Sequence, residues 1–400
     1  MQRIAKIGKS LLLAMGLVAS SAGSFPAFSQ GDGPFSNVPD TSPLSEPDMT
    51  AIIKAYGLIE TKQSAREFIR GWRKPKKIIV NLDNNVHRLD WLKEVVPPDV
   101  QLVGIKRGDS RYLTEIKDAD GVVGGCRKDS FDGVGPNFHW LHNTGVGIDQ
   151  CFTGGKVPAR LADGTVAISN SARLEGNSLS NHAIALMMAL SRGLDQYARM
   201  DETRKFTTET YPRMWSMQGR VIVIAGFGGV GSSMATLAHG LGMRVIVTNA
   251  VIPPNVPDWI DHIGLPNELG TLVGQADVVM TALPLTAETT GLFNAAMLAK
   301  FKKGAIFINV TRGEEQVDAD VAAALQSGQL SSGGFDDVRD SNSPLYSAKN
   351  VIITPHVAAQ NVDDMLGRGG EQTWDVAREN LRRFVNGDKM LSVIDPTKGY

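Results

Sequence analysis

Residues 220–231 read RVIVIAGFGGVG, an apolar run, Arg220–Ala225, passing without a spacer into Gly226-Phe227-Gly228-Gly229-Val230-Gly231. Ser232–Leu241 then has helical composition, and a second apolar strand, Arg244–Thr248, leads to Asn249, eighteen residues beyond Gly231. GxGxxG alone is a weak signal. Set between a strand and a helix, with a second strand behind it, it is a dinucleotide fingerprint. Gly226 permits the tight turn, Gly228 lets the backbone approach a pyrophosphate, and Gly231 brings helix and strand close. Gly229 and Val230 add N–H groups at a helix N-terminus, where the dipole favours an anion. In NAD-binding chains an acid closes the second strand and holds the ribose 2′-hydroxyl. Asn249 stands there instead. An amide can bond a hydroxyl without repelling a 2′-phosphate, and no arginine follows within six residues to grip one. NAD and NADP therefore both remain open.

Working outward, short apolar runs recur on both sides of this stretch. Upstream lie Lys77–Val80, Val100–Ile105, Gly121–Gly124, Phe138–His142 and Val166–Ser169; downstream lie Asp277–Leu283, Ala305–Val310 and Asn350–Thr354. Continuous apolar strands separated by helical stretches imply parallel sheets covered on both faces. The segment 177–194 (NSLSNHAIALMMALSRGL) separates the two series and is apolar nearly all round, the signature of a helix buried between two sheets. The expected fold class is α/β, with two doubly wound parallel-sheet lobes. A further helix is predicted over 50–72, where Ile52, Ile53, Tyr56, Ile59, Phe68 and Ile69 make one apolar face.

Composition excludes several functions. The 400 residues carry 41 basic against 42 acidic side chains, a net charge of −1, which speaks against nucleic-acid partners or a polybasic membrane patch. Two cysteines, Cys126 and Cys151, cannot make a disulfide scaffold, and without an HExxH no metal site is expected. The N-terminus has Arg3, Lys6 and Lys9 with no acid, then the apolar run Leu11–Ala19, then Ala27-Phe28-Ser29. That is a signal-peptide pattern, too short to span a bilayer, with cleavage expected before Gln30. It implies a periplasmic or secreted protein without a membrane span in the mature chain; a cytoplasmic start at Met49 is the alternative. Removing the three cations leaves 38 basic residues against 42 acidic, a net charge of −4. Residues 30–48, rich in Gly, Pro, Ser and Asp, read as linker.

Four further segments follow one another in a familiar order: Asn143–Asp149 (NTGVGID), Leu283–Thr289 (LPLTAET), Asn309–Gly313 (NVTRG) and Thr354–His356 (TPH). Together with the glycine loop they resemble the D-isomer specific 2-hydroxyacid dehydrogenase family, from about Lys76 to the C-terminus. Trp140 and its neighbours resemble the glyoxylate and hydroxypyruvate reductase branch. The resemblance implies a Rossmann dinucleotide-binding domain, residues 175–358, inserted in a flavodoxin-like substrate domain, 76–174 and 359–400. It implies NAD or NADP as cofactor, a small 2-oxo or 2-hydroxy acid as substrate, and a homodimer. A nucleotide- or acid-binding module without turnover is the competing reading.

The chemistry of such a reaction points to particular residues. A cation must hold the substrate carboxylate, and Arg312, following an apolar strand, offers a planar fork for it. A proton donor is needed, and His356 titrates near neutral pH. Backbone N–H groups at Gly124, Gly125 and Gly147 are candidates for the carboxylate. The resemblance adds Leu283, Pro284, Val310, Thr311 and Asp336, with Arg312 and His356, to the glycine loop and Asn249 as cofactor neighbours. It departs at one position. The family pairs its histidine with a glutamate, and the ungapped count places Ser341 there, beside Asp340 and Arg339. Either Asp340 takes the glutamate's part, or His356 lacks a charged partner and its reductive pH profile shifts toward acid. Whether Cys126 and Cys151 pair stays open.

Overall fold

The computed structural model describes residues 41, 43–106, 108–127, 130–131, 133–152, 158–197, 214–359 and 371–395. The expected leader and its cleavage site lie outside the described residues. Within them, strands β1 (Lys77–Leu82), β2 (Gln101–Lys106), β3 (Gly121–Gly124), β4 (Trp140–Asn143) and β5 (Ala167–Asn170) form a parallel sheet in the order β2-β1-β3-β4-β5. A second parallel sheet runs β12-β11-β10-β9-β6-β7-β8. Its strands are β6 (Val221–Ala225), β7 (Arg244–Thr248), β8 (Ile260–Gly264), β9 (Val278–Thr281), β10 (Ala305–Asn309), β11 (Leu330–Phe335) and β12 (Val351–Ile353). The first order is flavodoxin-like and the second is that of a Rossmann fold, with its switch point between β6 and β9. Ligand crevices of such sheets open at the carboxyl ends of the strands.

The continuous apolar strands follow from covering both faces. On one side of the seven-stranded sheet, Ile222, Ile224, Val278, Met280, Ile306 and Ile308 pack beneath helices Gly176–Ser191 and Gly229–Gly240. On the other side, Val223, Val279, Phe307 and Phe335 pack with Phe293 and Val321. The five-stranded sheet is covered in part by helix Glu371–Asn386, which returns from the far end of the chain. Its Trp374, Ala377, Leu381 and Phe384 join Ile78, Val80 and Trp140, and Phe384 stacks on Trp140 with ring centroids 4.8 Å apart.

Three expectations need correcting. Strands β8 and β11 went unread: β8 is an edge strand interrupted by Asp261 and His262, and β11 reads LSSGGF. The glycines of β11 have a packing cause, because a Cβ on Gly334 would come within 3.1 Å of Leu186 Cβ in helix 176–191. The helix expected over 50–72 is instead Met49–Tyr56, ended by left-handed Gly57 (φ 61°), with a separate turn at Ala65–Phe68. Gly57 adopts that conformation without a Cβ penalty, which is why glycine stops helices. Finally, helix 176–191 does not lie between the two sheets; it packs on the seven-stranded one, against helix 229–240.

Candidate active site

The turn after β6 is closed by backbone against backbone. Gly226 has φ 101°, and a Cβ there would lie 2.4 Å from the Ala282 carbonyl oxygen. A Cβ on Gly231 would lie 2.0 Å from the Gly226 carbonyl oxygen. Gly228, by contrast, caps helix 229–240 and would meet nothing within 4 Å. The turn is sealed toward the sheet at Gly226 and Gly231, lies against the Arg173 backbone at Gly229, and is open at Gly228, where a pyrophosphate would approach the helix N-terminus, so the cradle fits a dinucleotide. Leu283 and Pro284 border it, at the start of a loop pinned by the Thr289 hydroxyl donating to the Pro284 carbonyl at 2.7 Å. Asn249 staples the two loops: its Oδ1 accepts from Phe227 N–H at 3.3 Å and its Nδ2 donates to the Val251 carbonyl at 2.7 Å.

Arg312 leaves the end of β10 through a turn held by Asn309, which accepts from Thr311 N–H at 3.0 Å and donates to the Arg312 carbonyl at 2.8 Å. Val310 and Thr311 are buried beside it, 1% and 8% exposed, and shape the strand end. Thr311 donates to the carboxyl of fully buried Glu315 at 3.0 Å, and Thr281 donates to the same group. Burial pushes that carboxyl up to about 8. The Arg312 guanidinium reaches across to the other lobe. Its Nε and Nη2 donate to Asp149 Oδ1 at 3.1 and 3.0 Å, and Nη1 donates to the Thr311 carbonyl at 3.0 Å. A Cβ on Gly147 would sit 1.7 Å from Arg312 Nη2, so only glycine permits this approach. Gly147 and Arg312 are thus brought together.

The turn that carries Gly147 is shaped by amides. Asn143 Nδ2 donates to the carbonyls of Gly145 and Gly147, both at 2.9 Å, and Asn170 Nδ2 donates to that of Val146 at 2.7 Å. With its carbonyls so engaged, the turn leaves the N–H groups of Val146 and Gly147 without a partner among the described residues. Asn143 Oδ1 also accepts from Cys126 N–H at 2.9 Å, and the Gly124 carbonyl accepts from Thr144 N–H at 2.9 Å, so the Gly124–Gly125 segment is tied to the same turn. Cys126 and Cys151 form a disulfide, their Cα atoms 4.9 Å apart.

His356 follows β12 in a left-handed conformation (φ 58°), which a non-glycine residue adopts only under constraint. The constraint is Asp336. Its carbonyl accepts from His356 N–H, and its buried carboxylate accepts from the Thr354 hydroxyl and from the N–H groups of Val357 and Ala358 at 3.0 and 2.8 Å. Asp336 therefore clamps the histidine loop, and His182 supports it through Thr354 at 2.9 Å. The imidazole Nδ1 is buried without a hydrogen-bond partner among the described residues. Among the described residues its closest acid is Asp337, at 3.6 Å, which Arg339 holds at 2.6 and 3.2 Å. Burial lowers the His356 pKa; Asp337 and Asp336 offset this in part, while Arg312 and Arg339 add to it. Asp340 does not take the part of the glutamate. It and Ser341 are exposed, and the Asp340 carboxylate accepts from Asn342 N–H within its own loop at 2.9 Å. Sequence reasoning missed Asp149, Asn143, Asn170, Asp337 and His182. The first two stand at the ends of NTGVGID and were there to be weighed; the others carry no motif.

With this geometry in hand, comparisons with known proteins agree on a family. The NAD-binding domain of the D-isomer specific 2-hydroxyacid dehydrogenases matches residues 184–358. The chain is 30% identical to a glycerate dehydrogenase from Methylorubrum extorquens over 235 residues, 56% of this chain and 69% of that one. It is 28% identical to a glyoxylate reductase from Thermococcus kodakarensis over 290 residues, 69% and 83% of the two chains. Among solved structures, an NADPH-dependent glyoxylate/hydroxypyruvate reductase from Sinorhizobium meliloti, in complex with NADP and sulfate, has the same fold. The TM-score is 0.65 at 22% identity, covering 81% of this chain and all of that one. The chain belongs to the D-isomer specific 2-hydroxyacid dehydrogenase family and is an NAD(P)-dependent oxidoreductase.

Proposed function

We propose that the chain reduces a small 2-oxo acid, of the size of glyoxylate or hydroxypyruvate, to its 2-hydroxy acid. The observation that carries this reading is the convergence of Arg312 and His356 at the carboxyl edge of the seven-stranded sheet, with Gly147 of the other lobe against the guanidinium. The nicotinamide cofactor, when bound, supplies the hydride. Arg312 binds the carboxylate and polarises the carbonyl, joined by N–H groups of the Gly147 turn. His356, as imidazolium, gives a proton to the developing alkoxide and takes it back in the oxidative direction. The relatives named as glyoxylate and hydroxypyruvate reductases support the choice of acid. Two features support an oxidising, extracytoplasmic setting: the leader pattern of residues 1–29 and a disulfide joining the two cysteines.

The test follows NADH and NADPH absorbance with glyoxylate, hydroxypyruvate and pyruvate, using the chain from Gln30. Arg312→Ala should lower kcat/KM by about a hundredfold or more with cofactor affinity kept; wild-type turnover in that variant would sink the assignment. The binding-module reading gains from the Asp149 grip on Arg312 and from the missing partner of His356. It predicts tight cofactor binding with no oxidation by any of these acids.

A further inference from the structure

We infer that Asp149 and the Cys126–Cys151 disulfide form one positioning device for Arg312, so that the cleft's affinity for a 2-oxo acid depends on that bond being closed. The inference rests on Arg312 being the carboxylate ligand, as proposed above.

A guanidinium has five N–H donors in a fixed plane. In Arg312, Nε and one N–H of Nη2 go to a single oxygen of Asp149, and one N–H of Nη1 goes to the Thr311 carbonyl. What remains is one N–H on each terminal nitrogen, left for the oxygens of a carboxylate. Asp149 therefore does not compete for the substrate's edge of the fork. It occupies the side edge, holds Nη2 against Gly147, and aims the free pair. A long side chain with many rotamers is fixed in one before substrate arrives.

Asp149 can do this only if its own backbone is fixed. On its N-terminal side Asn143 ties the carbonyls of Gly145 and Gly147. On its C-terminal side the short 3-10 turn Asp149–Cys151 ends in the disulfide, and Cys126 begins just past Gly124 and Gly125. Both cysteines are buried, in the cluster with Val122, Phe138, Leu141 and Ile148. The bond thus joins the Gly124–Cys126 segment to the turn that carries Gly147, with Asp149 two residues from one of its ends. Opening it leaves Asp149 tethered from one side only. A dithiol does so by giving two electrons and two protons to the disulfide, leaving two thiols and closing into its own cyclic disulfide.

The test measures binding of oxamate, a carboxylate analogue that cannot be reduced, to the chain saturated with NADH or NADPH. Four forms are compared: oxidised, dithiothreitol-reduced, Cys126→Ala/Cys151→Ala, and Asp149→Asn. The expected result is oxamate binding about tenfold weaker in the last three, with cofactor affinity unchanged, recovery on reoxidation of the wild-type chain, and no further loss when Asp149→Asn is reduced. Equal oxamate affinity in oxidised and reduced wild-type chains would overturn the inference, as would additive losses in reduced Asp149→Asn. Should oxamate bind no form while cofactor binds all, the carboxylate reading of Arg312 fails on its own account. Amide hydrogen exchange at Gly147–Asp149 then decides the restraint: faster exchange on reduction upholds it, and unchanged exchange overturns it.

Discussion

The turn after β6 and the turn after β4 do related work at the carboxyl ends of their two sheets, yet opposite means hold them. The first is fixed by the absence of side chains: Gly226 and Gly231 lie so close to neighbouring carbonyls that no Cβ fits. The second is fixed by added side chains, with Asn143 and Asn170 bonding three successive carbonyls and a disulfide closing its far end. The difference teaches where tolerance lies. A backbone cradle fails when an atom is added; an amide-knit turn fails also when atoms are removed.

Substitution at each turn can break that contrast. Gly231→Ala should have the largest effect, because its Cβ would sit 2.0 Å from a carbonyl oxygen. We expect a stability loss of about 3 kcal/mol, with cofactor affinity falling about a hundredfold, read by denaturation and fluorescence titration. Asn143→Ala removes bonds to Cys126, Gly145 and Gly147 together. A loss of about 2 kcal/mol and a raised KM for the 2-oxo acid should follow, with cofactor affinity intact. Were cofactor affinity to fall equally, the two turns would not be independent. The pH profile sharpens the contrast at the proton donor. Burial lowers the His356 pKa from its ordinary value, so the imidazolium is present only below that lowered value. Reduction should therefore fall about tenfold per pH unit above it, while the oxidative direction, which needs the neutral ring, gains as pH rises; a reductive plateau persisting above about pH 8 would contradict this. The smallest effect belongs to Asn249→Asp. It keeps the acceptor for Phe227, loses the donor to Val251 and adds a charge that repels a 2′-phosphate. A shift of about fivefold toward NADH in kcat/KM is expected.

The same contrast explains what the sequence could reveal. Glycines forced by close backbone approach leave a spacing, so the loop 226–231 and the strands β6 and β7 on either side of its helix were legible. Arg312 and His356 were legible because each ends an apolar strand. Asp149 and Asn143 act by where a folded turn aims them, across a lobe or a disulfide, and no spacing in the chain announces that. Asp340 was a plausible partner for His356 by counting alone. The loop after Val338 instead turns it outward, with its carboxylate on Asn342 N–H, and leaves Asp337 as the closest acid, its charge already taken by Arg339. Strand β11 hid behind the opposite problem, since Gly334 makes room for helix 176–191 and Gly333 for the Phe335 ring, and together they erase the apolar pattern.

Helix Glu371–Asn386 has a consequence for the order in which the molecule is made. The seven-stranded sheet draws its core from one continuous stretch, helix 176–191 through Ala358, and can close as soon as that stretch is complete. The five-stranded sheet begins first but is completed later, because Trp374, Leu381 and Phe384, which pack with Trp140 and Val80, follow the whole seven-stranded sheet in the chain. Such long-range closure is slow. Until it happens the first-made sheet keeps an apolar face uncovered, a nascent surface that chaperones can hold while the lobe behind it is still being translated.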